Sequence, residues 1–96
     1  MSAVFQPDIP LHIAEVIRHL PPDLKRSIKA AIRTLSQVPD SGTPLVRELD
    51  GFWKYRVRRF RIVYVVDRRR KLLKIVGVGH RRRIYEDVAA HLARRS

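Results

Sequence analysis

The sequence predicts an α+β protein of a single domain, residues 1–96, with elements in the order β-α-α-β-β-β-α. Three observations support this. Two apolar stripes of helical period lie before residue 38, three runs of strand-forming residues lie between 52 and 79, and a further helical stripe ends the chain. Helices joined by so short a link pair as a hairpin. Consecutive strands joined by tight turns form a small, twisted, mostly antiparallel sheet, which the hairpin should cover on one face. One modest hydrophobic core is what 96 residues, 45% of them apolar, can supply.

Residues 3–6 (AVFQ) suit a short edge strand, with Pro7 ending it and Asp8 capping the first helix. Ile13, Val16, Ile17 and Leu20 recur at i, i+3, i+4, i+7, the stripe of an amphipathic helix. Pro10 is tolerable there because it falls in the first turn. Pro21-Pro22 stops this helix, and Pro22 is placed to open the next. Leu24, Ile28, Ala31, Ile32 and Leu35 repeat the stripe, with Lys25, Arg26, Lys29 and Arg33 turned outward. Residues 38–44 (VPDSGTP) are turn chemistry, residues 45–49 suit a brief extended piece, and Asp50-Gly51 turns the chain again. Strands follow at 52–59, 61–67 and 72–79, rich in Val, Ile, Tyr, Phe and Trp. Arg68, Arg69, Arg70 and Lys71 form a hairpin tip that lacks the favoured Asn-Gly pair. Ile84–Arg95 reads as a last helix, with Val88 and Leu92 at i, i+4.

Charge is concentrated in the strand region. Residues 54–83 hold thirteen Lys or Arg and one acid, Asp67. The other 66 residues hold eight bases and eight acids, so the net +12 sits in one block. In the first strand of that block Trp53, Tyr55 and Val57 alternate with Lys54, Arg56 and Arg58. Period two sends the aromatics toward the helices and gathers the cations on the opposite face. Arginines with almost no acid nearby in sequence call for an external polyanion, and Arg58, Arg59, Lys74, Arg82 and Arg83 are candidate nucleic-acid contacts. The absence of cysteine excludes disulfides and thiolate chemistry and suits a reducing cytoplasm. The first ten residues lack the pattern of a signal peptide, and no apolar run approaches the ~20 residues of a membrane span.

Three motifs sharpen the expectation: L-x-G-x-W-K-Y-R-V at 49–57, R-I-V-Y at 61–64 and V-G-H-R-R-x-I-Y at 78–85. In this order and spacing they resemble the RelE/ParE superfamily, the toxins of type II toxin-antitoxin modules. The resemblance to RelE-type members implies a ribosome-dependent endoribonuclease that cuts mRNA by attack of a 2′-hydroxyl on the adjacent phosphate. That chemistry needs no metal and no cofactor; it needs a base, an acid and cations for the extra phosphate charge. By position the resemblance assigns catalytic roles to Lys54, Arg56, Arg61 and Arg81, and a base-stacking role to Tyr85. Guanidinium forks suit bidentate phosphate contact at Arg61 and Arg81. A lysine among other cations is disposed to act as a base, and His80 is a candidate acid or base. Arg56 stands where the best-known pattern has lysine, Tyr85 lies closer to Arg81, and no carboxylate base is matched.

The resemblance also implies partners: a cognate antitoxin bringing acids and an amphipathic helix, the ribosome with its mRNA, and operator DNA only through the antitoxin. Two other functions stay open, a ParE-like inhibitor of DNA gyrase without nuclease activity and a module that binds nucleic acid without turnover. Trp53, Tyr55 and Tyr64 read as core aromatics, the run Arg68 to Lys71 as a solvated tip, and His12, His19 and His91 as surface residues at no metal-ligand spacing.

Overall fold

The computed structural model describes residues 4–95. Its elements are β1 (Gln6–Asp8), α1 (Leu11–Arg18), α2 (Pro22–Gln37), β2 (Thr43–Pro44), β3 (Trp53–Val57), β4 (Phe60–Asp67), β5 (Leu72–His80) and α3 (Ile84–Arg95). Short 3₁₀ turns at Pro39–Ser41 and Arg47–Leu49 flank β2. The five strands form one sheet in the order β1-β5-β4-β3-β2, with β1 parallel to β5 and every other pair antiparallel.

One face of the sheet carries the main core. Ile13 and Ile17 of α1 and Ile28, Ala31, Ile32 and Leu35 of α2 pack on Val57, Ile62, Tyr64, Leu73, Ile75 and Val78. Trp53 and Tyr55 join this cluster, and the Trp53 ring stacks at 6.2 Å on Tyr64. The alternation in β3 thus directs its aromatics as the sequence predicts. Pro22 opens α2 at its first turn, where a missing N–H costs nothing.

Tyr64 is fully buried and braces the α2–β2 loop. Its hydroxyl donates to the Pro39 carbonyl at 2.7 Å and accepts from the Gly42 N–H at 3.2 Å. A Cβ on Gly42 would lie 2.3 Å from that hydroxyl and 2.4 Å from the Lys54 carbonyl, so only glycine lets the loop approach the sheet this closely. Burial pushes the Tyr64 phenol up to about 12.

Several expectations need correction. The first strand lies at Gln6–Asp8 rather than 3–6, and Ala3 is outside the described residues. Pro7 sits inside β1 instead of ending it, which an edge strand tolerates. Asp8 therefore caps nothing, and α1 starts at a Pro10 N-cap without a side-chain bond. Of the extended piece expected at 45–49, Leu45 and Val46 continue past β2, with the Leu45 N–H bonded to the Phe52 carbonyl, but Arg47–Leu49 is a 3₁₀ turn and the pairing strand is two residues earlier, at Thr43–Pro44.

The second face of the sheet is not left wholly to cations. Ile84 and Val88 of α3 bury Val63, with Val76, Tyr85 and Leu92 packed around them. Glycines on β5 make room for the helix. A Cβ at Gly77 would lie 2.6 Å from Val88 Cγ2, and one at Gly79 would lie 3.0 Å from Ile84 Cδ1. A register irregularity between Val63 and Tyr64 leaves Val76 without a partner across the pair, and it packs with this second cluster. His12 is exposed as expected, and its ring stacks at 4.9 Å on that of the half-buried His91, joining α1 to α3.

Candidate nucleic-acid site

The cationic cluster is built by strand register. Arg56 of β3 lies opposite Arg61 of β4, and Arg61 lies opposite Gly79 of β5. Residues directly opposite point to the same side of a sheet, so Arg56 and Arg61 share the second face. Lys54, two residues before Arg56 and opposite Val63, shares it too. The Arg81 N–H donates to the Arg59 carbonyl at 2.8 Å, which carries the β4–β5 pairing one step past the strand end. By the same alternation Arg81 falls on the side of Gly79 and Arg61.

Arg58 and Arg59 form the two-residue turn between β3 and β4, and Arg58 takes a φ of 56°. Positive φ at the first central residue is the signature of a type II′ turn, where glycine is usual. That backbone has a use at the site. Arg61 Nη1 donates to the Arg58 carbonyl at 3.1 Å and to the Phe60 carbonyl at 2.8 Å. Arg61 is half-buried, and its Nε and Nη2 make no bond among the described residues.

Among the described residues no carboxylate neutralises this cluster. The ion pairs among them are Glu15 with Arg18 and His19, Asp23 with Arg26, Asp40 with Arg68, and Asp67 with Lys74. None involves Lys54, Arg56, Arg58, Arg59, Arg61, Arg81, Arg82 or Arg83. Cations brought together without acids repel one another, and a bound polyanion relieves that repulsion.

The remaining candidates sit elsewhere. Lys74 pairs with Val65 and Asp8 near the other end of β5, its Nζ 3.9 Å from Asp67, and does not join the cluster. His80 lies opposite Phe60 and meets that ring edge-on at 6.1 Å. Alternation puts it on the face away from Gly79 and Arg61, and its Nδ1 accepts the Arg82 N–H at 3.3 Å, bracing the turn into α3. Tyr85, in the first turn of α3, is half-buried against Val63, Ile84 and Val88, at the border of the cluster. Arg82 and Arg83 are exposed on the turn before it.

Sequence reading missed the backbone's part in the site: the Arg58 and Phe60 carbonyls that hold Arg61, and the glycines that seat α3 beside it. The G-x-G spacing at Gly77 and Gly79 was the available signal for the second. For the first there was none, because arginine at positive φ contradicts its own propensity.

This arrangement can grip a phosphate from several sides and stabilise added negative charge on it. Two solved structures share the fold. The toxin-antitoxin complex RelBE2 from Mycobacterium tuberculosis matches with a TM-score of 0.75 and 24% identity, over 83% of this chain and 94% of that one. A doubly substituted free form of the E. coli toxin RelE matches with a TM-score of 0.74 and 17% identity, over 96% and 97%. No curated protein is significantly similar in sequence. The model of the ParE toxin family of type II toxin-antitoxin systems, parDE, matches residues 9–85. That match spans most of the chain, both sides of the cationic cluster included, and the protein belongs to this family of RelE/ParE toxins.

Proposed function

We propose that this toxin is a ribosome-dependent mRNA endoribonuclease acting in the cytoplasm, with the cluster on β3, β4 and the end of β5 as its phosphate clamp. The observation that carries the reading is Arg56 opposite Arg61 on one face, flanked by Lys54 and Arg81, with no acid of the described chain to quench them. In this reading Arg61 and Arg81 hold the scissile phosphate and stabilise its extra charge as the 2′-oxygen attacks. Arg56 shares that charge. Lys54 is the proton acceptor on the same face, and Tyr85 borders the place where a base would lie. His80, on the other face by register, serves the turn rather than the proton transfer.

The test is inducible expression followed by mapping of mRNA 5′ ends. Cuts at ribosomal A-site codons are expected with the wild type. Arg61→Ala and Arg81→Ala should each slow cleavage by about 2–4 kcal/mol in barrier, as loss of one oxyanion donor does. Unaltered growth arrest by both variants would remove the clamp assignment.

A second reading has its own support, since the matching family is named for ParE. A ParE-like toxin would block gyrase supercoiling and leave mRNA intact, and the same expression experiment separates the two. Under either reading the toxin meets a cognate antitoxin. The groove between α1 and α2 suits its acidic amphipathic helix, with Ile9, Ile17 and Ile32 on the floor and Lys25, Lys29 and Arg33 at the rim. Operator DNA is then reached through the antitoxin.

A further inference from the structure

The turn joining β4 to β5 carries Arg68, Arg69, Arg70 and Lys71, all exposed, at the end of the sheet opposite the clamp. From Arg61 to Asp67 is six strand steps, so tip and clamp are on the order of 20 Å apart. One phosphate and its neighbour cannot touch both.

This tip is braced, not loose. Asp67 Oδ1 accepts the Arg70 N–H at 3.0 Å, and Arg68 pairs with Asp40 of the α2–β2 loop. The Lys71 carbonyl accepts the Gln6 N–H at 2.8 Å, and Lys71 Nζ lies 5.1 Å from the centre of the Phe5 ring. Asp67, Asp40 and Phe5 thus engage Arg70's backbone, Arg68 and Lys71. The side chains of Arg69 and Arg70 have no acid within ion-pair distance among the described residues. Four adjacent cations in one turn repel each other, and the fold retains them in a fixed shape.

We infer that Arg69 and Arg70 at this tip form a second polyanion contact, which grips the phosphate backbone of folded RNA away from the strand being cut. A convex turn with two free guanidinium groups fits phosphates flanking the groove of a duplex, where shape and charge suffice. An acidic peptide needs an apolar socket as well, and the grooves along α1 include no tip residue. The choice of RNA rests on the nuclease function proposed for the clamp; the position of the contact does not.

The experiment compares wild type with the double variant Arg69→Gln, Arg70→Gln, with thermal midpoints verifying the fold. Two probes are titrated across a range of salt: an RNA hairpin with a stem of about 16 base pairs, and a trinucleotide too short to reach both ends. The variant should bind the hairpin about tenfold more weakly at low salt. Its log–log salt slope should be shallower by roughly 1.4–1.8, the release expected for two phosphates. Its trinucleotide affinity should change less than twofold. Unchanged hairpin affinity and slope would overturn the proposal. A DNA duplex and polyglutamate are titrated as controls, and a loss seen only with one of these would overturn it as well. If wild type cuts no mRNA yet the hairpin slope still depends on Arg69 and Arg70, the nuclease reading fails and the tip contact stands.

Discussion

The two faces of the sheet are made from the same strands and do opposite work. On the hairpin side, Ile62, Tyr64 and Ile75 are almost fully buried in an apolar cluster, and the Tyr64 hydroxyl is hydrogen-bonded. On the other side the β5 half is closed by α3, and the β3 half is left to Lys54, Arg56 and Arg61. Adjacent residues in one strand therefore differ in what they answer to. Ile62 answers to packing and Arg61 to charge. A short sheet can keep a charged site rigid because the residues between the cations anchor it from behind.

Substitutions can sharpen that contrast, and the largest effect belongs to the closed face. Ile62→Ala should lower unfolding free energy by about 3 kcal/mol, within the usual range for a buried aliphatic, as read in a urea titration. A loss below 1 kcal/mol would mean that the hairpin does not close on this face. Gly77→Ala tests the α3 half. Its Cβ would meet Val88 Cγ2, and a destabilisation of about 1–3 kcal/mol is expected in the same titration, with exchange protection falling first in α3.

Tyr64→Phe comes next, at about 1–2 kcal/mol, since it removes the bond to the Pro39 carbonyl and leaves the Gly42 N–H unpaired. Its effect also depends on pH. Burial raises the folded phenol to about 12 from its ordinary 10, so the neutral form is favoured in the folded state. That contribution is fully present below pH 10 and is lost as pH rises through 12. The gap between wild type and variant should therefore narrow in alkaline titrations, and a constant gap would remove the burial argument.

Smaller effects belong to the open half. Arg58→Gly replaces a side chain at positive φ and should stabilise by about 0.5–1 kcal/mol, measured as a raised thermal midpoint. Arg56 is exposed and has no ion pair among the described residues, and with Arg56→Gln stability should stay within about 0.5 kcal/mol of wild type. A large loss there would erase the difference between the faces.

Much of this was legible in the sequence. Helical stripes located α1, α2 and α3, and period two in β3 divided Trp53 and Tyr55 from Lys54 and Arg56. What stayed hidden depended on relations between elements. Alternation assigns a residue to a face only once cross-strand register is known, and the two-residue turn at Arg58 and Arg59 sets that register. His80 reads in sequence as a candidate acid or base beside Arg81, yet the register sends it to the face away from Arg61. The seating of α3 over Val63 was equally out of reach, because a helical stripe does not say which surface it will cover. β1 was misplaced because Pro7 reads as a terminator, whereas its edge position tolerates a missing N–H.

The pair of glycines under α3 also limits how this protein can diverge. A side chain at Gly77 would force Val88 to move, and one at Gly79 would press on the tip of Ile84, so that stretch of β5 tolerates little change. Under the proposed clamp, a change in what is gripped is more readily written at a position such as Arg56, which is exposed and carries no packing duty.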